Sequence, residues 1–143
     1  MRVDDWNQIQ VPTRTRLLTI SWLTEDMVAW ENRTFSPSEG QPWVRETILP
    51  AGELVTANKE LTGIGIIQYD YFAPIGSSVS EAKGRAKDIK DAFKAGSAIG
   101  GLWIERSEIL TGSPGTTSLS EAGSSPWYQI PVHVYYRVFT TNP

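Results

Sequence analysis

The sequence predicts an α+β fold: a mostly antiparallel sheet with one well-marked helix and a second, N-terminal helix packed on one face. Three observations predict it. Residues 79 to 95 place Val79, Ala82, Ala86, Ile89 and Phe93 at a 3-4-3-4 spacing, which gathers them into one helical stripe. Residues 128 to 138 repeat with a period of two, setting Tyr128, Ile130, Val132, Val134, Tyr136 and Val138 against Gln129, His133 and Arg137. Residues 64 to 72 alternate in the same way, with Ile67, Tyr69 and Tyr71 against Gln68 and Asp70.

The elements follow in chain order. Residues 13 to 23 read as a helix opened by Pro12, although Thr15, Thr19 and Ile20 weaken its propensity and leave a strand open. A short strand is expected near residues 27 to 31, and another over 43 to 49 that stops at Pro50-Ala51-Gly52. The strand over 64 to 72 ends at the turn Ala73-Pro74-Ile75-Gly76. Ser78 with Glu81 forms a capping box for the helix, and Gly96 is placed to close its last turn in a left-handed conformation. Gly100 and Gly101 join that helix to a strand over 102 to 110, which stops at Thr111-Gly112-Ser113-Pro114-Gly115. In the last strand Pro131 lacks an N–H, so it belongs at an edge, at a bulge, or where that N–H would face no neighbour. Two connections are long for a compact domain, residues 50 to 63 and 111 to 126, and loops of that length tend to be functional or disordered.

Composition narrows the function classes. At 143 residues the chain is expected to form a single domain over 1 to 143, burying roughly two-thirds of the surface its unfolded form exposes. Hydrophobic residues make up 40% and charged residues 20%, too apolar for a chain that stays disordered. The formal net charge is −3 and no basic block is present, so nucleic acid is not an expected partner. There are no cysteines, which excludes disulfides, thiolate metal sites and cysteine nucleophiles. No window approaches the ~20 apolar residues that span a bilayer, and the N-terminus lacks a secretion-signal core. No membrane partner and a cytoplasmic site of synthesis are therefore expected. Six tryptophans are many for this length, and they serve either as core anchors or as interface anchors.

For chemistry the chain offers little. His133 is the only histidine, and it cannot make a metal site or a triad by itself. The carboxylate pairs Asp4-Asp5, Glu25-Asp26 and Glu105 with Glu108 read as solvated surface acids. Lys83, Arg85, Lys87, Lys90 and Lys94 are interleaved with Asp88 and Asp91, which reads as a solvated helix face. Arg45 either stacks on an aromatic face and holds a carboxylate, or points outward from a half-buried strand. No enzyme activity, no cofactor and no metal are expected.

One block carries more information than the rest. Residues 30 to 51, WENRTFSPSEGQPWVRETILPA, set Trp30, Glu31, Asn32, Phe35, Pro37, Gly40, Pro42, Trp43, Arg45, Leu49 and Pro50 in an order that resembles the opening of the bacteriophage tail terminators. Later pieces fall in the same order: Gly65-Ile66-Ile67-Gln68, Pro74 and Gly76, Glu81-Ala82 with Ala86, Ile89 and Phe93, and Trp127 with Ile130-Pro131-Val132 and Val134-Tyr135-Tyr136. The likeness spans roughly residues 28 to 138. The chain departs from it before Trp30, where Pro12 and several β-formers stand in place of a plain amphipathic helix.

The resemblance implies a virion protein at the head-proximal end of the tail, assembled in the host cytoplasm. It implies a ring, typically of six copies, that caps the tail tube, stops its elongation and offers a surface to the head connector protein. Its partners would be itself, the tail tube protein and the head connector. Ring closure needs a heterologous contact, one patch meeting a different patch on the next copy. The long loops are candidates for such contacts, through Glu53, Asn58, Lys59 and Glu60 in the first and Ser118, Ser120 and Glu121 in the second. Other readings stay open: another head-tail joining or tail completion protein, a stand-alone aromatic-rich ligand-binding module, or a small hydrolase built around His133.

Overall fold

The computed structural model describes residues 6–38, 40–55, 60–114 and 127–141. Its spine is a pair of long antiparallel strands, β3 (Glu60–Pro74) and β7 (Trp127–Thr141), matched over their full length from Glu60↔Thr141 to Pro74↔Trp127. Fifteen residues each, they extend roughly 50 Å before twist. Outside β3 lies β2 (Trp43–Val55), antiparallel to it, and outside β2 lies the two-residue β1 (Val28–Ala29), which runs parallel. On the other side β7 pairs antiparallel with β5 (Leu102–Ile109), which carries the two-residue β4 (Ala98–Ile99). The order is β1-β2-β3-β7-β5-β4, with β6 (Ser113–Pro114) beside the start of β7. The parallel β1–β2 pair makes the sheet mixed, and with two helices the chain is α+β.

Both helices contribute to one buried cluster on one face of this sheet. From α1 (Trp6–Leu17) come Ile9 and Leu17, and from α2 (Val79–Ala92) come Ala82, Ala86 and Ile89, with Phe93 just past its end. They meet Val44, Ile48, Ile67, Tyr69, Tyr71, Leu102, Ile104 and the even-numbered residues of β7 from Ile130 to Val138. The period-two reading of β3 and β7 thus places the apolar residues on the helix side.

Several expected boundaries move. The N-terminal helix covers Trp6–Leu17 instead of 13 to 23, and Pro12 lies inside it instead of opening it. Burial overrides propensity there: Ile9, Thr13 and Leu17, four apart, are all buried, and Thr13 returns its hydroxyl to the Ile9 carbonyl at 2.7 Å. Strand β2 passes through Pro50-Ala51-Gly52 as a register shift instead of stopping, because Gly52 adopts φ 128°. The connection expected over 50 to 63 is therefore mostly a paired hairpin, with Glu53 in β2 and Glu60 at the start of β3. Asn58 and Lys59 lie outside the described residues. So do Ser118, Ser120 and Glu121, while Ser113 and Pro114 of the second loop form β6.

Helix α2 begins with the Ser78 hydroxyl accepting the Glu81 N–H at 3.3 Å, one half of the expected capping box, while the Glu81 carboxylate pairs with Arg85. It ends at Ala92, and Gly96 (φ 81°) serves a later turn in which its N–H reaches the Ile104 carbonyl at 2.7 Å. Gly100 and Gly101 then make the two-residue turn of the β4–β5 hairpin, with Ile99 opposite Leu102. Pro131 sits between the β5 and β6 pairings of β7, opposite the point where the neighbouring chain turns away.

Candidate functional site

The block from Trp30 to Pro50 is a tie between layers. Trp30 is buried beneath the Arg14 guanidinium of α1, 4.8 Å from its ring centroid. Arg14 holds the buried Glu46 carboxylate through two nitrogens, the shortest contact being 2.6 Å, and this hydrogen bond raises the Arg14 pKa above its ordinary value. The Glu31 N–H also reaches Glu46, at 3.3 Å, and the Glu31 side chain accepts the N–H of Ile48 at 3.5 Å. Glu31 therefore occupies the outer edge of β2, and Pro50, two residues further along that edge, has no N–H to offer. Asn32 turns the chain with φ 61°, a conformation that asparagine tolerates better than most residues.

From there the chain crosses to the opposite sheet face. Phe35 packs on Trp43 (5.2 Å between centroids), Trp43 stacks on Phe72 (4.1 Å), and Trp127 meets Trp43 edge-on (5.8 Å). This second small cluster covers one end of the face away from the helices. Pro37 and Pro42 are half-buried, and Gly40 takes φ 74° in the turn that leads into β2. Arg45 does both things open to it: its guanidinium lies over Phe72 at 5.1 Å and bonds Asp70 at 3.1 Å. Of the tryptophans with described side chains, Trp30, Trp43 and Trp127 are buried, Trp22 is half-buried and Trp103 is 42% exposed.

The rest of that face carries a polar chain across four strands. Arg45 of β2 donates to Asp70 of β3, Gln68 donates to the other Asp70 oxygen at 2.8 Å, and His133 of β7 donates from Nε2 to Gln68 at 3.1 Å. On its far side His133 Nδ1 stands 4.0 Å from Glu108 of β5, which accepts the Tyr135 hydroxyl at 2.6 Å. That bond raises the Tyr135 pKa. Arg106 lies over the Tyr135 ring at 4.1 Å. His133 thus sits in a hydrogen-bonded strip of amide, carboxylate and phenol. Among the described residues no group of three His, Asp or Glu side chains is placed to hold a metal ion, and no helix is long and apolar enough to cross a membrane.

Beyond this strip the face turns apolar. Leu49 and Trp103 are exposed, and Ala51, Ile64, Ile66 and Tyr135 line a shallow depression bounded by the Arg137–Glu105 ion pair. Sequence reasoning missed this surface, although the alternation of β3 and β7 already set Gln68 and His133 apart from the core.

A family model described as phage tail terminator protein matches residues 8–136. The chain belongs to the phage tail terminator family. As a tail terminator it is a structural protein of the phage tail. One solved structure shares the fold at 18% identity, with a TM-score of 0.66 and coverage of 94% of this chain and 96% of the other. A second is a chain from the virion of a native gene transfer agent particle, 14% identical, with a TM-score of 0.63 and coverage of 96% and 99%. No curated protein matches the sequence. The family model takes in every residue of the Trp30 to Pro50 block, and the geometry gives that block a structural role, since it fastens α1 and a crossing loop to β2.

Proposed function

We propose that this terminator caps the tail tube as a ring, ends tube elongation and presents its other face to the head connector. The observation that carries the reading is the family match over residues 8–136. A neighbour of the same fold that comes from a gene transfer agent virion is in keeping with it. The surface also suits a protein whose work is contact: one sheet face is closed by helices, while the other exposes polar and apolar side chains. Six copies, closing head to tail, and a location at the head-proximal end of the tail complete the proposal.

The test is removal of the gene from a producing phage, followed by electron microscopy of the products. Overlong tails without heads are the expected outcome. Tails of normal length that fail to join heads would instead assign the chain another joining role.

A further inference from the structure

The two ends of the sheet differ in charge. At the β1 end the turn Glu25–Met27 exposes Glu25 and Asp26, and Glu31 lies along the β2 edge; Arg33 is the cation among them. At the β5 end the chemistry reverses. Lys83, Lys87 and Lys90 are spaced four and three apart on α2, which sets them on one side of the helix, and Lys94 follows just past its end. Backbone contacts place the end of α2 beside β5 and β4. The Lys90 carbonyl accepts the Ser107 hydroxyl of β5 at 3.2 Å, and the Lys94 carbonyl accepts the Ser97 N–H beside β4. The opposite side of α2 faces Trp22, through Arg85 over its ring at 4.9 Å and through Asp88, which takes its indole N–H at 2.9 Å.

The acids of α2 are already engaged. Asp88 holds Trp22, Asp91 holds Lys87 at 2.7 Å and Glu81 holds Arg85 at 3.1 Å. Of the β5 acids, Glu105 pairs with Arg137 and Glu108 accepts the Tyr135 hydroxyl, so Lys83, Lys90 and Lys94 leave the α2 side of this end net positive among the described residues. Both ends also finish in strands of only two residues: β4 leaves part of β5 uncovered, and past β1 the β2 edge meets Glu31 at Ile48 and is open only beyond Pro50. Beyond the bulge of β5 the backbone of Ser107 and Ile109 faces away from β7, since Leu110 turns its N–H toward Pro131. Strands β2 and β5 run in opposite directions, so a second copy brought edge to edge continues the antiparallel alternation.

We infer that the acidic β1–β2 edge of one copy docks on the lysine flank of α2 and β5 in the next. The contact joins two different patches, which a closed ring requires and a two-fold dimer does not. This inference rests on the ring reading above, and it names the partner of each edge: another copy of this chain.

Charge exchange tests it. The variant K83E/K90E/K94E has two acidic ends and the variant E25K/D26K two basic ones; Glu31 is left in place because it holds the Ile48 N–H. Light scattering should show the parent assembling, with assembly weakening as salt rises. Each variant alone should stay monomeric with an unfolding midpoint near the parent's, and a 1:1 mixture should recover the assembled mass. Because the chain has no cysteine, D26C/K90C adds an independent readout. Within one copy Asp26 precedes β1 and Lys90 lies beside β5, strands four spacings apart, about 19 Å, too far for a disulfide. Oxidation should then give a ladder of covalent oligomers on a non-reducing gel, and either single cysteine variant should stop at a dimer.

Assembly of the lysine variant like the parent, a mixture that stays monomeric, or no ladder would overturn the inference. Rings that persist while tube capping is lost would overturn it too, by assigning the lysine flank to the tube protein. A parent that caps tubes while the variants keep their rings leaves the function standing and removes only this contact. A parent that neither assembles nor caps removes both.

Discussion

On the helix-covered face, β3 and β7 present Ile67, Tyr69, Tyr71, Ile130, Val132 and Val134, and on the opposite face the same strands present Gln68, Asp70, His133 and Tyr135. The first set is closed off by α1, α2 and Phe93, while the second is bridged by hydrogen bonds that remain partly open to water. Side-chain burial therefore concentrates on one face. The other face is held by the Trp43, Phe72 and Trp127 cluster at one end and elsewhere by bonds that each contribute about 1 kcal/mol.

The largest effect is expected where a charge is buried on the covered face. Glu46→Ala leaves Arg14 without the carboxylate that holds it against Trp30 and also removes the acceptor of the Glu31 N–H. A loss of about 3 kcal/mol is expected in urea unfolding. A loss below about 1 kcal/mol would mean that α1 and the crossing loop are held by apolar packing alone.

That tie between α1, Trp30 and β2 is also where sequence and structure part company. Helix α2, β3 and β7 are legible in the sequence because each repeats over at least nine residues with one period and meets a marked end, Ser78 for the helix and Pro74 for β3. Strand β2 looks shorter in the sequence than it is, because Pro50-Ala51-Gly52 spells a turn. On an outer edge the same residues make a bulge, since Pro50 needs no partner there and Gly52 accepts φ 128°. Pro12 misleads in the same way, as a helix opener that in fact lies mid-helix. Arg14, Glu46 and Trp30 are 16 to 32 positions apart, and no local pattern reports a contact of that kind. The order of the signature block is visible in the sequence, but its role as a fastener is not.

Asp70 sharpens the comparison, because it belongs to the uncovered face and is nonetheless fully buried. If burial sets the cost of a residue, Asp70→Ala should lose about 2 kcal/mol by stranding Arg45 and Gln68. His133→Ala, on the same chain of bonds but half-buried, should lose less than about 1 kcal/mol. Equal losses in the two variants would show that the polar strip behaves as one cooperative network, and a double-mutant cycle would give the coupling.

The smallest effect separates the faces by pH. Burial raises the Tyr69 pKa far above its ordinary value, with Glu46 adding to the shift and Thr13 and Arg14 opposing it. A phenol that keeps its proton in the fold contributes stability at neutral pH, and that contribution falls once pH exceeds the pKa of about 10 in the unfolded chain. Parent stability should therefore be level from pH 7 to 9 and then decline, and Tyr69→Phe should reduce the decline by about 0.8 kcal/mol at pH 10.5. Tyr135 is raised through its bond to Glu108 on the open face, where solvent screens the interaction. Tyr135→Phe should accordingly change the alkaline slope less than Tyr69→Phe does. A steeper change from Tyr135 would place a titrating, stability-bearing group on the face away from the helices, and the contrast between the two faces would fail.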